Sequence, residues 1–108
     1  DRALMCKIIV DAVHNGYRLI DTAAAYSNEI AIAKALVAGG IRREQVLLSD
    51  KVWNTSRGFQ KVQDACRRSL KKMKTDYFDL YLVHWPASIR LYPDWKEINA
   101  ETWHGTII

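Results

Sequence analysis

The sequence predicts an α/β fold in which three parallel strands alternate with helices. Helical and strand-like hydrophobic patterns take turns along the 108 residues, and the connections between them are only a few residues long. This alternation is typical of a parallel sheet with right-handed crossovers. The third strand, residues 78–83, is nearly continuously apolar, which indicates a sheet buried on both faces.

The first predicted helix and strand occupy residues 2–20. Apolar side chains recur at helical spacing over residues 2–15, and an Asn-Gly pair at residues 15–16 ends this helix. Residues 17–20 then form a short buried strand, which stops at Asp21. Asp21 is therefore expected at a strand tip, where the reactive groups of α/β enzymes gather.

The second predicted helix begins after Asn28, a residue type that caps helix N-termini. It ends at the glycine pair of residues 39–40. Its inward positions are expected to be Ile30, Ala33, Leu36 and Val37.

A second strand, a third helix and the third strand follow. Residues 46–49 predict a strand that stops at Asp50 and Lys51, and residues 59–73 predict an amphipathic helix. The third strand must end before Pro86, because proline has no N–H to donate to a sheet ladder.

The composition indicates an ordinary soluble globular protein, with 49% hydrophobic and 26% charged residues. No apolar run reaches the length of a membrane span, and no signal peptide is visible. Cys6 and Cys66 lie sixty residues apart without the spacing of a metal site. We therefore expect reduced thiols, no metal, no membrane association and a cytoplasmic location.

The net charge of +4 is concentrated in the third helix, where residues 61–74 hold six basic residues and only Asp64 as an acid. A solvated outer face explains this better than a nucleic-acid surface. Aromatic residues do not interleave with the basic ones, and no DNA- or RNA-binding motif accompanies them. We expect no nucleic-acid partner.

Four polar side chains lie at or just after the predicted strand ends: Asp21, Tyr26, Lys51 and His84. In a parallel sheet the carboxyl ends of the strands share one rim, so these groups are expected to converge there. Each alone has an ordinary explanation, as a surface carboxylate, a loop tyrosine, a surface lysine or a core histidine. Their joint occurrence on successive strands favours a catalytic site.

The chemistry of these four groups suits proton transfer to a carbonyl oxygen. A phenol is a poor acid at neutral pH, but a nearby ammonium such as that of Lys51 stabilises the phenolate that remains. Asp21 can hold the ammonium, and His84 can donate a hydrogen bond to the same oxygen. This is general-acid catalysis with oxyanion stabilisation, and the hydride for it must come from a cofactor.

The sequence resembles the aldo-keto reductases over about residues 3–103. The matching segments are Gly-Tyr-Arg-Leu-Ile-Asp-Thr-Ala at residues 16–23 with Tyr26 and Asn-Glu at 28–29, Ser-Asp-Lys-Val-Trp-Asn-Thr at 49–55, Ala-Cys at 65–66 with Ser-Leu-Lys-Lys-Met at 69–73, and Asp-Tyr-Phe-Asp-Leu-Tyr-Leu-Val-His-Trp-Pro at 76–86.

The resemblance implies a (β/α)8 barrel of the TIM type that reduces an aldehyde or ketone with NADPH. It implies that Tyr26 is the proton donor, that Lys51 and Asp21 tune it, and that His84 orients the substrate carbonyl. Trp53 and Trp85 would line the substrate pocket with His84, and Asp21 would also touch the cofactor. It does not identify the carbonyl substrate, and Arg90 is more simply an exposed loop residue than an anion contact.

The resemblance also implies that residues 1–108 form a single incomplete domain. A barrel of this type has eight strands and typically about 250 residues, whereas this sequence supplies three, expected to be the second to the fourth. No glycine-rich phosphate loop appears. We therefore expect the chain alone to be inactive and a full-length form to be monomeric. The alternative is a non-enzymatic truncated remnant that associates through open sheet edges.

Several positions depart from the family pattern. Ser27 and Ala33 stand where the family usually has glycine, and Lys74 stands where glycine often caps the third helix, so a left-handed cap there would be disfavoured. Residues 87–99 are expected to be a loop that leads into a helix. The last five residues, 104–108, favour helix poorly, which suggests a truncated or shifted reading frame.

Overall fold

The computed structural model describes residues 2–86, and its helices and strands alternate in the predicted order. The elements are α1 (Arg2–His14), β1 (Leu19–Asp21), α2 (Glu29–Ala38), β2 (Leu47–Val52), α3 (Phe59–Met73) and β3 (Leu80–Val83). Short 3₁₀ turns at Ala24–Tyr26 and Arg43–Gln45 precede α2 and β2. The loop and helix expected after residue 86 lie outside the described residues.

The three strands form one parallel sheet in the order β1-β2-β3, as the alternation predicted. Asp21 at the end of β1 pairs in register with Ser49, and Val52 at the end of β2 pairs with Val83. The carboxyl ends of the strands therefore lie along one rim of the sheet.

The helices cover one face of this sheet and form its hydrophobic core. The larger buried cluster consists of Val13, Ile32, Leu36, Val46, Leu48 and Met73. A smaller one joins Val52, Val62 and Ala65, with Tyr81 and Val83 packed against it. Each fully buried aliphatic side chain of this kind contributes roughly 1.5–3 kcal/mol to stability.

The opposite face of the sheet is open. Side chains alternate between the two faces of a strand, and the residues that face away from the helices are about half exposed. These are Leu19, Leu47, Leu80 and Leu82, with exposed fractions of 53%, 51%, 51% and 41%. The expectation of a sheet buried on both faces is therefore wrong for the described residues, because the described helices all pack on one side.

All three strands differ from their predicted limits, and β3 begins at Leu80 rather than at residue 78. β1 begins at Leu19, and Tyr17 before it is exposed rather than buried. β2 does not stop at Asp50 but continues through Lys51 to Val52. The two charged residues fit inside the strand because each has a partner: the Lys51 N–H donates to Asp50 Oδ1 at 2.8 Å, and the Lys51 ammonium binds a carboxylate.

The inward face of α2 also differs from the prediction. Ala33 and Leu36 are buried as expected, but Ile30 and Val37 are exposed. The buried positions include the small residues Ala31 and Ala35, along with Ile32 and Glu29. Small residues let α2 approach α1 closely, and the Cys6 thiol of α1 lies 3.8 Å from the carbonyl oxygen of Ala31.

Two of the residues that replace a family glycine adopt the backbone conformation that glycine favours. Ser27, after the first 3₁₀ turn, and Lys74, at the C-terminal cap of α3, both have φ of 53°. Lys74 still closes its helix in the left-handed cap, since its N–H bonds to the carbonyl oxygens of Leu70 and Lys71. The disfavoured cap is therefore present despite its side chain.

All six basic residues between positions 61 and 74 are exposed, which confirms the solvated face predicted for α3. One of them, Lys72, forms an ion pair with Glu29 of α2. None of the helices over residues 2–86 is both long and apolar enough to cross a membrane.

Candidate active site

An ion pair between Asp21 and Lys51 lies at the rim of the sheet. Lys51 Nζ donates to Asp21 Oδ2 at 2.6 Å and to the carbonyl oxygen of Thr22 at 2.9 Å. The Lys51 side chain is 16% exposed and that of Asp21 is 53% exposed. The hydrogen bond from Lys51 lowers the pKa of Asp21, so the carboxylate stays ionised at neutral pH.

Tyr26 stands next to this pair. It ends the 3₁₀ turn that follows β1, and its ring centroid lies 5.7 Å from Lys51 Nζ. The turn is held from both sides, because Tyr26 N–H bonds to the Ala23 carbonyl oxygen and the Thr22 hydroxyl bonds to Asn28 Oδ1. Tyr26 is 51% exposed, so it is accessible to a ligand at the rim.

Asn28 lies at the N-cap position of α2 but does not cap the helix with its side chain. Its Oδ1 instead accepts the 2.6 Å hydrogen bond from the Thr22 hydroxyl. The predicted capping interaction is therefore wrong. The side chain closes the loop that carries Tyr26, which is a competing use of the same oxygen.

His84 completes the group from the third strand. The backbone N–H of His84 donates to the Val52 carbonyl oxygen at 3.2 Å, and this bond continues the β2–β3 pairing past the end of β3. Its ring meets that of Tyr26 edge to face at 5.6 Å. Burial lowers the pKa of His84, and the Lys51 charge adds to this effect, so the imidazole is neutral at pH 7. A neutral ring carries one N–H donor.

The two tryptophans lie beside this histidine. The Trp53 ring is 5.1 Å from the His84 ring and 5.6 Å from the Trp85 ring, both edge to face. They form an aromatic wall on the β2–β3 side of the rim. The structure thus brings together all six side chains that the sequence singled out.

Arg57, which sequence reasoning did not single out, supports this wall. It is 9% exposed, and its Nη2 donates to Asn54 Oδ1 at 2.6 Å and to the Trp85 carbonyl oxygen. These contacts join the turn after β2 to the segment after β3. Nothing in the sequence indicates that Arg57 is buried, because polar residues surround it as they do in a solvent-exposed turn.

A buried acidic pair, also missed, lies under the rim on the helix side of β2. Asp50 is fully buried and Glu29 is 2% exposed, with Glu29 Oε2 bound to Lys72 Nζ at 2.7 Å. Burial raises the pKa of Asp50 to about 6, and the Glu29 charge adds to this effect. Strand alternation could have signalled it, because Asp50 shares its face with the core residues Leu48 and Val52.

The rim therefore brings a phenol, an ammonium and a neutral imidazole close together. Such a set can donate a proton and further hydrogen bonds to a single oxygen atom. No cluster of three or more metal-ligating side chains occurs among residues 2–86. Asp21, half exposed beside the ammonium, is the described carboxylate best placed to meet a cofactor at this rim.

Sequence comparison finds relatives among the aldo-keto reductases. The profile of the aldo/keto reductase family matches residues 1–100. An aldo-keto reductase of Mycobacterium leprae is 49% identical over 81 residues, which are 75% of this chain and 29% of that protein. The glyoxal reductase of Bacillus subtilis is 39% identical over 88 residues, which are 82% of this chain and 32% of that protein.

Solved structures agree with this assignment. The Bombyx mori aldo-keto reductase in complex with NADP superposes with a TM-score of 0.83 at 34% identity, over 97% of this chain and 36% of that one. The aldo/keto reductase of Brucella melitensis superposes with a TM-score of 0.77 at 41% identity, over 94% of this chain and 37% of that one.

This chain spans about a third of the length of these relatives. Its three parallel strands with their helices form an open sheet that corresponds to part of a TIM-type (β/α)8 barrel. The match of the family profile over nearly the whole chain and the superposition of the fold lead to one conclusion. The chain belongs to the aldo/keto reductase family.

Proposed function

We propose that this chain carries the proton-transfer site of an NADPH-dependent reductase that converts an aldehyde or ketone to an alcohol. The single observation that supports this most is the convergence of Tyr26, Lys51, Asp21 and His84 at one rim. The ion pair of 2.6 Å and the edge-to-face contact of 5.6 Å bring groups from three successive strands to one place.

In this proposal Tyr26 is the general acid. Its hydroxyl gives a proton to the carbonyl oxygen as negative charge develops there. Lys51, held by Asp21 and by the Thr22 carbonyl oxygen, stabilises the phenolate that is left. Burial lowers the pKa of His84, so its neutral imidazole donates a hydrogen bond to the same oxygen while Tyr26 supplies the proton.

The cofactor and substrate follow from the same site. NADPH supplies the hydride when bound, and the half-exposed carboxylate of Asp21 is where this chain would touch it. Trp53, Trp85 and His84 would hold the substrate carbonyl between aromatic rings. The relative named glyoxal reductase acts on an aldehyde of the proposed class.

We further propose that residues 1–108 act as one incomplete domain and that the chain alone is inactive. It covers about a third of its relatives, and the part that the structure describes offers no glycine-rich loop for the phosphates of a dinucleotide. Micromolar NADPH should therefore leave the tryptophan fluorescence of the purified chain unchanged. Saturable quenching would contradict this.

A chimera tests the function itself. Residues 2–86 replace the matching segment of the Bacillus subtilis glyoxal reductase, and the oxidation of NADPH by glyoxal is followed by absorbance. The unmodified host is the positive control. We expect turnover in the chimera, because the transplanted segment supplies the complete proton-transfer group. A chimera that folds and binds NADPH but does not turn over would contradict the proposal.

A second candidate function is a non-enzymatic chain that associates with copies of itself. The observation that favours it is the open face of the sheet, where four leucines are 41–53% exposed. Apolar surfaces of this kind and unpaired strand edges promote association. A full-length form would be a monomer under the first proposal, since a closed barrel buries this face.

A further inference from the structure

Ser49 lies beside the Asp21–Lys51 ion pair on β2. It pairs in register with Asp21 across the β1–β2 ladder. It lies two residues before Lys51, so both side chains point to the same face of the sheet. Ser49 therefore lies beside the Asp21–Lys51 pair on the open face of the sheet.

The Ser49 hydroxyl is buried, and its hydrogen-bond donor is unpaired among the described residues. The residue is 2% exposed, and its Oγ has no hydrogen-bond partner among the described residues. A buried hydroxyl without a partner is unfavourable, so such groups usually have an acceptor within reach. A rotation about the Cα–Cβ bond is enough to turn this hydroxyl.

The acceptor nearest in register is the Asp21 carboxylate. Lys51 already binds Asp21 Oδ2, but an ionised carboxylate has two oxygens and can accept several hydrogen bonds. Lys51 has the largest lowering effect on the pKa of Asp21. The Ser49 hydroxyl lowers this pKa further, because it favours the ionised carboxylate. The third group that lowers the pKa of Asp21 is His84, just after β3, through the charge that it carries when protonated.

We propose that Ser49 is a positioning residue whose hydroxyl donates a hydrogen bond to Asp21 and so holds the carboxylate toward Lys51. Its importance for catalysis rests on the proposed function, since Asp21 in turn holds the ammonium beside Tyr26. The hydrogen bond itself does not depend on that function.

An isosteric pair of variants tests the proposal. Ser49→Thr keeps the hydroxyl, and Ser49→Val replaces it with a methyl group of the same size. The readout is the pKa of Asp21, measured by carbon-13 NMR of the aspartate carboxyl groups in the 108-residue chain. Amide spectra that match the wild-type protein establish that each variant is folded.

We expect Ser49→Thr to keep the wild-type pKa of Asp21. Ser49→Val should raise this pKa by about one pH unit, which is the size expected when a hydrogen bond to a charged group is lost. If Ser49→Val does not fold, Ser49→Ala provides the same comparison with Ser49→Thr. Equal pKa values of Asp21 in the variants with and without the hydroxyl would overturn the proposal.

Ser69 provides the matched control. It is also a serine of 2% exposure, but it lies on α3 and its hydroxyl acts on Asp50 across the sheet from Asp21. Ser69→Ala should leave the pKa of Asp21 unchanged, and an equal rise there would overturn the specific role of Ser49. The measurement needs neither NADPH nor substrate, so a failure of the proposed reductase activity would not affect it.

Discussion

At the scale of single residues, the buried carboxyl group of Asp50 makes the stability of the fold depend on pH. The group is fully buried, and burial together with the charge of Glu29 raises its pKa to about 6 from the ordinary 3.8. Between pH 3.8 and about pH 6, Asp50 therefore keeps its proton in the folded state but has lost it in the unfolded state. The free energy of unfolding falls as the pH rises through this range.

We predict that Asp50→Asn removes this pH dependence. In the wild-type chain the free energy of unfolding should fall by about 2–3 kcal/mol between about pH 4 and pH 7 because of this group. The asparagine variant should lack that decrease and be the more stable protein at neutral pH. Urea unfolding at several pH values measures both, and an equal slope in the two proteins would contradict the raised pKa.

The site residues were predictable from sequence because each is tied to a strand end. Asp21, Lys51 and His84 follow or end apolar runs, and a parallel sheet leaves only one rim for them to share. Arg57 and Glu29 were not predictable in this way. Arg57 contacts Trp85 and Glu29 contacts Lys72, and both partners lie far along the chain. The local sequence pattern does not predict such contacts.

At the scale of secondary structure, α3 ends in a backbone conformation that its own residue disfavours. Lys74 has φ of 53°, where a side chain costs roughly 1–2 kcal/mol and glycine costs none. The helix still ends there because its N–H satisfies the carbonyl oxygens of the last turn.

We predict that Lys74→Gly raises the free energy of unfolding by about 1 kcal/mol. The matched control is Lys71→Gly, three residues earlier in the helical part of α3, which should lower it by about 1 kcal/mol because glycine is a poor helix former. Chemical denaturation of the three proteins gives these values. A loss of stability in Lys74→Gly would show that the left-handed cap is not strained.

Helices were easier to predict than strand limits. The bounds of α3 match the prediction at both ends because its apolar and basic residues separate clearly onto two faces. The prediction for β2 stopped too early because Asp50 and Lys51 look like a loop in sequence. The strand continues through them because β2 stays in register with β3, where Asp50 pairs with Tyr81 and Lys51 with Leu82.

At the scale of the whole molecule, the open face of the sheet is the largest departure from what the sequence predicted. The apolar pattern of β3 predicted that Leu80 and Leu82 are buried, whereas the structure leaves both exposed. In a closed barrel the remaining strands would supply an interior for these side chains. In the described part of this chain the two side chains are 51% and 41% exposed.

We predict that the purified chain self-associates through this face. Leu82→Lys should shift the molar mass measured by light scattering toward that of the monomer, because it places a charge in the apolar contact. Val37→Lys is the control, since Val37 is 76% exposed on α2, away from the open face. A wild-type chain that is monomeric at all concentrations, or an equal effect of both variants, would contradict the prediction.

Tyr26 is the proposed general acid of the carbonyl reductase site, and the whole catalytic role of the rim depends on it. The most direct test is the rate of NADPH oxidation by glyoxal in the chimera with Tyr26→Phe. Loss of the hydroxyl should reduce kcat by about 10²- to 10⁴-fold while the dissociation constant for NADPH stays unchanged. Unchanged turnover in the phenylalanine variant would contradict the role assigned to Tyr26.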